Sequence, residues 1–61
     1  MKVKALEKLL KQNGWAFQRH GKGDHDVYKH PTIPETIVLD TGTKDVPKGT
    51  LNKILKQARL K

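Results

Sequence analysis

The apolar residues of this chain repeat with a helical period at both ends and with a period of two between them. That switch does more than any other feature to restrict what its 61 residues can fold into. Val3, Leu6, Leu9, Leu10 and Asn13 fall at the three- and four-residue steps of one helical face, with Lys4, Lys8 and Lys11 stepping along another, so residues 3 to 13 are expected to form an amphipathic helix. Glu7 and Lys11 stand in the favourable i, i+4 order, and Asn13-Gly14 supplies the stop, because glycine accepts the left-handed conformation that closes a helix. From Trp15 onward the side chains alternate, which places Trp15, Phe17 and Arg19 on one side of a strand and Ala16, Gln18 and His20 on the other. Gly21-Lys22-Gly23 interrupts the alternation and a second stretch runs from 25 to 30, so the pair is read as a hairpin with a glycine-rich turn. Pro31 and Pro34 bound a connection, after which residues 36 to 39 are β-branched and apolar enough for a third strand that ends at Asp40-Thr41-Gly42-Thr43. Beyond Asp45, Pro47 fits the first turn of a helix, and Leu51, Ile54, Leu55 and Ala58 recur at i, i+3, i+4 and i+7.

The order helix, strand, strand, strand, helix, with no repeat, low-complexity tract or linker, predicts a single α+β domain over residues 1 to 61: an antiparallel sheet with both helices on one face and the other face open to solvent. A chain this short has no room for a large enzyme core, and without cysteine it has neither disulfides nor thiolate metal ligands to reinforce a small one. Lack of cysteine fits a reducing compartment, and charges inside the N-terminal apolar pattern argue against a signal peptide or membrane span, so a soluble cytoplasmic protein with no membrane partner is expected. Thirteen Lys and Arg against six Asp and Glu leave a formal charge of +7, which attracts polyanions, phosphate backbones foremost. Positive charge collects at the two ends and at the hairpin.

Strand parity then singles out one histidine. If Tyr28, the bulkiest residue of the second strand, points to the helices, Asp26 and His30 share its side while His25, Val27 and Lys29 face solvent; with Val27 inward the assignment reverses. Histidine takes or gives a proton near neutral pH, so an exposed His25 is suited to phosphoester chemistry without a metal. Around it, Gly21 and Gly23 would let a substrate backbone approach, and Arg19, Lys22 and Lys29 would surround a phosphate with positive charge. The plainer alternative is a solvated turn histidine among ordinary surface lysines. His20, His25 and His30 are spaced by five, which alternates faces on a strand and matches no compact metal-ligand pattern. The G-K-G of the hairpin lacks the remainder of a P-loop, and Asp24 and Asp26 are read as partners for Lys22 or Arg19. A helix-turn-helix DNA reader is excluded, since it would need a helix where residues 15 to 39 alternate. A helix-plus-sheet unit with basic ends is instead able to lie across A-form RNA.

Taken in order, Asn13-Gly14-Trp15 closing the first helix, Arg19, the run Lys22-Gly23-Asp24-His25-Asp26-Val27-Tyr28-Lys29-His30-Pro31, and Pro47-Lys48-Gly49-Thr50-Leu51 leading into Ile54-Leu55-Lys56-Gln57-Ala58 resemble the HicA toxins of prokaryotic toxin–antitoxin pairs. The resemblance spans essentially the whole chain. It implies a fold like that of double-stranded RNA-binding domains and the activity of an mRNA interferase, held in check by a HicB-type antitoxin that covers the site. It further implies a toxin that is monomeric when free and hetero-oligomeric with its antitoxin. By the G-x-H match the family's catalytic histidine falls on His25, and Arg19, Lys22, Gly23, Lys29 and Lys48 are the expected RNA and phosphate contacts. The expected reaction is attack of a ribose 2′-hydroxyl on the adjacent phosphate, with His25 as general base or acid and no cofactor or metal. Where the family commonly has Ser-His-His, this chain has Asp24-His25-Asp26, which puts two carboxylates next to the histidine in sequence. A non-catalytic RNA-binding module and an inactive toxin retained as an antitoxin scaffold are the competing readings.

Overall fold

The computed structural model describes residues 1–61 and contains α1 (Val3–Gln12), β1 (Ala16–His20), β2 (His25–Lys29), β3 (Ile37–Asp40) and α2 (Lys48–Gln57) in that order. This is the α-β-β-β-α arrangement, an α+β fold. The strands form one antiparallel sheet in the order β1-β2-β3, so β2 is central and β1 and β3 are its two edges.

Val3, Leu6 and Leu10 of α1 and Ile54 and Ala58 beside or within α2 converge with Tyr28, Ile37 and Leu39 into one core, completed by Trp15 and Val46. Tyr28, Ile37 and Leu39 all lie on the same side of the sheet, because Tyr28 pairs with Ile37 and Leu39 is two residues further along β3. Both helices therefore cover that side, and the stripes at three- and four-residue spacing are what they bury. Leu51 and Leu55 pack half-buried at the margin of the core.

The helix ends explain how such short elements hold their places. Gly14 has φ +92°, and the amide of Trp15 turns back to donate to the Leu10 carbonyl at 3.0 Å, which closes α1 and sends Trp15 into the core at 2% exposure. At the other end, α1 has no side-chain cap; its first amide, Val3, donates to Lys44 at 2.8 Å while Val46 donates to Met1 at 2.9 Å. These bonds and the Lys2–Asp45 bridge join the start of the chain to the connection between β3 and α2.

One expectation fails in β1. Phe17 pairs with Tyr28 but Arg19 pairs with Val27, so two steps along β1 match one step along β2 and Gln18 is the extra residue of a β-bulge. A bulge reverses the alternation beyond it. Phe17 therefore shares the helix side with Tyr28, whereas Arg19 shares the open side with Val27, and the two are not on one side together. Trp15 likewise lies ahead of the strand and inside the core.

Candidate active site

The open face of the sheet is built from alternate residues of β2, namely His25, Val27 and Lys29, with Ala16 and Arg19 beside them on β1 and Val38 and Asp40 on β3. The parity set by an inward Tyr28 is thus the one observed. Val27 departs from the expectation in burial: it lies on the open face yet is only 4% exposed, because the central strand is flanked in register by Arg19 on one side and Val38 on the other. It forms an apolar floor with polar side chains around it.

His25 opens β2 and is exposed. The turn before it is tight: the Gly21 amide donates to the His25 carbonyl at 2.6 Å, and Gly23 adopts φ +69° with nothing within 4 Å of where a Cβ would stand, so backbone conformation is what calls for glycine there. At Gly21 the constraint is space, since a Cβ would lie 3.3 Å from the Cβ of His25. The turn aims the Lys22 carbonyl at the His25 ring, 2.7 Å from Nδ1. A carbonyl only accepts, so Nδ1 carries the proton and Nε2, in the neutral ring, keeps a bare lone pair. A neutral histidine held this way has the chemistry a general base needs at Nε2, which has no hydrogen-bond partner.

Charges of both signs surround His25, with the exposed Asp40 on the same face directly across from it. Arg19, Lys22 and Lys29 are exposed and make no ion pair, whereas Lys2 pairs with Asp45 and Arg59 with Glu35. Of the two acids adjacent to His25 in sequence, Asp26 has its carboxylate paired elsewhere and Asp24 is held through its main chain. Asp26 lies on the opposite side of the sheet with its Oδ1 2.7 Å from Nδ1 of His20, so its partner is His20 and neither Lys22 nor Arg19. Asp24 anchors the neighbouring turn: its carbonyl accepts from the Thr41 amide and hydroxyl at 2.7 and 2.8 Å, and its carboxylate lies against Gly42. Asp40, directly across from His25, accepts from the Gly42 amide at 2.9 Å.

Of the residues expected at the site, His25, Arg19 and Lys29 share the open face, with Lys29 at the opposite end of β2 from His25, about 13 Å away along the strand, and Lys22 and Gly23 form the turn that orients His25. Lys48 begins α2, in the layer on the other side of the sheet, and nothing in the structure brings it to His25. A cleft of about 640 Å³ between the start of α1 and residues 41–44 contains none of the residues of the open face. The site is a surface, suited to a long polymer.

The element order is the one that the resemblance implies. A family model described as the HicA toxin of bacterial toxin–antitoxin systems matches residues 3–60. The chain belongs to the HicA toxin family. Comparison with curated proteins gives no match. As a HicA-family toxin it belongs to a toxin–antitoxin system, so an antitoxin partner is implied. No helix is long and apolar enough to cross a membrane.

The other two histidines were not distinguished by sequence, and they have different work. His30 accepts the Thr32 amide at Nδ1 (3.1 Å) and donates from Nε2 to the Asn13 carbonyl (3.0 Å), with its ring against Trp15 at 5.1 Å. It fastens the end of β2 to the end of α1 and has no nitrogen left for chemistry. His20, held by Asp26, keeps Nε2 free. The only sequence signal for that pair is their position at the two arms of one hairpin, where antiparallel pairing sets them opposite each other.

Proposed function

We propose that this HicA-family toxin is a metal-independent endoribonuclease, an mRNA interferase in which His25 is the catalytic residue, and that a HicB-type antitoxin neutralises it by covering the open face. The observation that carries this reading is the contact from Lys22 to Nδ1, which leaves Nε2 of His25 as an outward-facing base amid unpaired cations. Nε2 removes the proton from a ribose 2′-hydroxyl, the oxygen attacks the adjacent phosphorus, and the 5′-oxygen of the next nucleotide leaves with a proton returned from the site or from water. Arg19 and Lys22 offset the charge that develops on the phosphate oxygens, Lys29 at the far end of β2 holds a neighbouring phosphate of the same strand, and Gly23 keeps the turn low beneath the backbone. Histidine supplies the proton transfers at neutral pH, so no metal is called for.

Cleavage of a long RNA in EDTA, compared between the wild type and His25→Ala with both shown to be folded, tests the proposal. The wild type should cut RNA, spare DNA of the same sequence and leave 2′,3′-cyclic phosphate or 3′-phosphate ends, and the variant should not cut. Absence of cleavage by both proteins, equal cleavage by both, or 3′-hydroxyl ends would overturn it.

A further inference from the structure

Phe17 is an exposed aromatic residue in a protein with very few of them. It points to the helix side of the sheet, where its ring meets Tyr28 edge to face at 6.1 Å and 81°, yet it is 45% exposed because the helices cover β2 and β3 and leave β1 overhanging. His20 packs its ring against Phe17 at 5.1 Å and 65°. Residues three apart on a regular strand face opposite ways; the bulge at Gln18 is what brings these two rings to the same side while sending Arg19 to the other. Asp26, whose side chain is only 15% exposed, fixes the His20 ring through Nδ1, and that ring is 79% exposed with Nε2 free. The result is a pair of rings held at fixed angles with their outer surfaces open to water, on a strand that has no neighbour beyond it.

We propose that Phe17 and His20 form a platform on which an unpaired nucleobase stacks, so that RNA entering the open face at Arg19 and His25 folds one base around the β1 edge. This rests on the reading that RNA is the substrate. Arg19 carries the continuity: it lies between Phe17 and His20 in sequence and pairs with Val27 on the open face, so a phosphate held by its guanidinium is one strand's thickness from the platform. The ligand must be a base free of a duplex, since only such a base has a face to offer an aromatic ring; every base has one, so the contact is indifferent to sequence. The Asp26 carboxylate is engaged by Nδ1 of His20 beneath the ring, so the platform offers a neutral aromatic ligand its ring faces and leaves the phosphates to Arg19, Lys22 and Lys29.

Fluorescence anisotropy with labelled 2′-O-methyl oligonucleotides, which bind but lack the attacking hydroxyl, separates base stacking from phosphate binding. An adenine octamer is compared with an abasic octamer of the same backbone and charge. The wild type should prefer the base-bearing strand by roughly 5- to 100-fold, the range base–aromatic stacking supplies. Phe17→Leu, which keeps an apolar contact with Tyr28 but has no ring, should lose most of that preference with unchanged affinity for the abasic strand. Phe17→Trp should retain the preference and His20→Ala should reduce it, with the melting temperature of each variant reporting that it is folded. Equal binding of both octamers by the wild type, or an undiminished preference in Phe17→Leu, would overturn the platform, and a Phe17→Leu variant that instead loses only antitoxin binding would assign these rings to a protein interface. Because binding is the readout, the nuclease reading fails separately: a wild type that shows the base preference but does not cut RNA in EDTA keeps the platform and loses the catalytic assignment.

Discussion

The hydroxyl of Tyr28 donates to the carboxylate of Glu7 at 2.8 Å, a bond across 21 residues that ties the central strand to the first helix on the side of the sheet away from His25. Tyr28 is 1% exposed, and burial first, then the hydrogen bond and the negative charge of Glu7, push its phenol well above the ordinary value of 10.0. The unfolded chain ionises at about 10, so the folded state binds the phenolic proton more tightly. Stability from this site is fully present below that pH and is lost as pH rises beyond it toward the folded value. Guanidinium unfolding followed by the fluorescence of Trp15, the single tryptophan, should show stability falling steeply above pH ~10. Tyr28→Phe should cost about 1 kcal/mol at neutral pH and flatten the alkaline fall; an equally steep fall in the variant would show that another group causes it.

His30 and Gly14 should behave as one unit. A Cβ on Gly14 would stand 2.6 Å from Nε2 of His30, at a backbone φ of +92°. Gly14→Ala should therefore cost about 2–3 kcal/mol, and His30→Ala about 2 kcal/mol through two lost hydrogen bonds and the contact with Trp15. With His30 already removed, the alanine at 14 meets only the left-handed backbone, at about 1 kcal/mol. A double-mutant cycle by denaturant unfolding should thus find the two changes less than additive by about 1 kcal/mol or more. Strict additivity would mean that the ring moves aside freely.

These two clusters mark where sequence reading stopped. The helical stripes were legible because every third and fourth residue reports the same buried face, and the inward Tyr28 was legible because one bulky side chain decides the parity of a five-residue strand. The bulge at Gln18 was not, since no glycine or proline marks it and the residues alternate straight through it; only pairing with β2 reveals the extra residue. Val27 was misjudged in burial for a related reason: what covers it comes from Arg19 and Val38, residues of two other strands. At the candidate site, the exposure of His25 was legible from the inward Tyr28, whereas the partner of Asp26 depended on which residue the opposite arm of the hairpin sets across from it.

The two sides of the sheet should differ in their contribution to RNA affinity. Each phosphate contact by a lysine or arginine adds about 0.7 to the slope of log affinity against log salt for a single strand. Arg19→Ala and Lys29→Ala, both on the open face, should each lower the slope by about that amount. Lys48→Ala, which removes a charge from the start of α2, should leave it unchanged. Anisotropy titrations between about 50 and 200 mM salt measure all three, and a loss for Lys48→Ala equal to that for Arg19→Ala would mean that RNA also lies along the helices.

His25 and His30 are held in opposite tautomers, and the difference separates a residue available for proton transfer from one that is not. The Lys22 carbonyl requires the proton of neutral His25 on Nδ1, whereas Thr32 and Asn13 require that of His30 on Nε2. Long-range proton–nitrogen correlation spectra of the neutral rings should show this pattern directly. Gly23 sets the turn that aims the Lys22 carbonyl, and a Cβ there would meet nothing within 4 Å, so its φ of +69° is what calls for glycine. Gly23→Asn, which tolerates that conformation, should keep the Nδ1 tautomer of His25 and most of the cleavage activity. Gly23→Val should cost about 1–3 kcal/mol, release the ring to exchange between tautomers and lower cleavage in proportion to the lost Nδ1 form, while His30 stays as it was. A His25 found with its proton on Nε2 in the wild type would leave no outward-facing base on the open face and would move the search for one to His20.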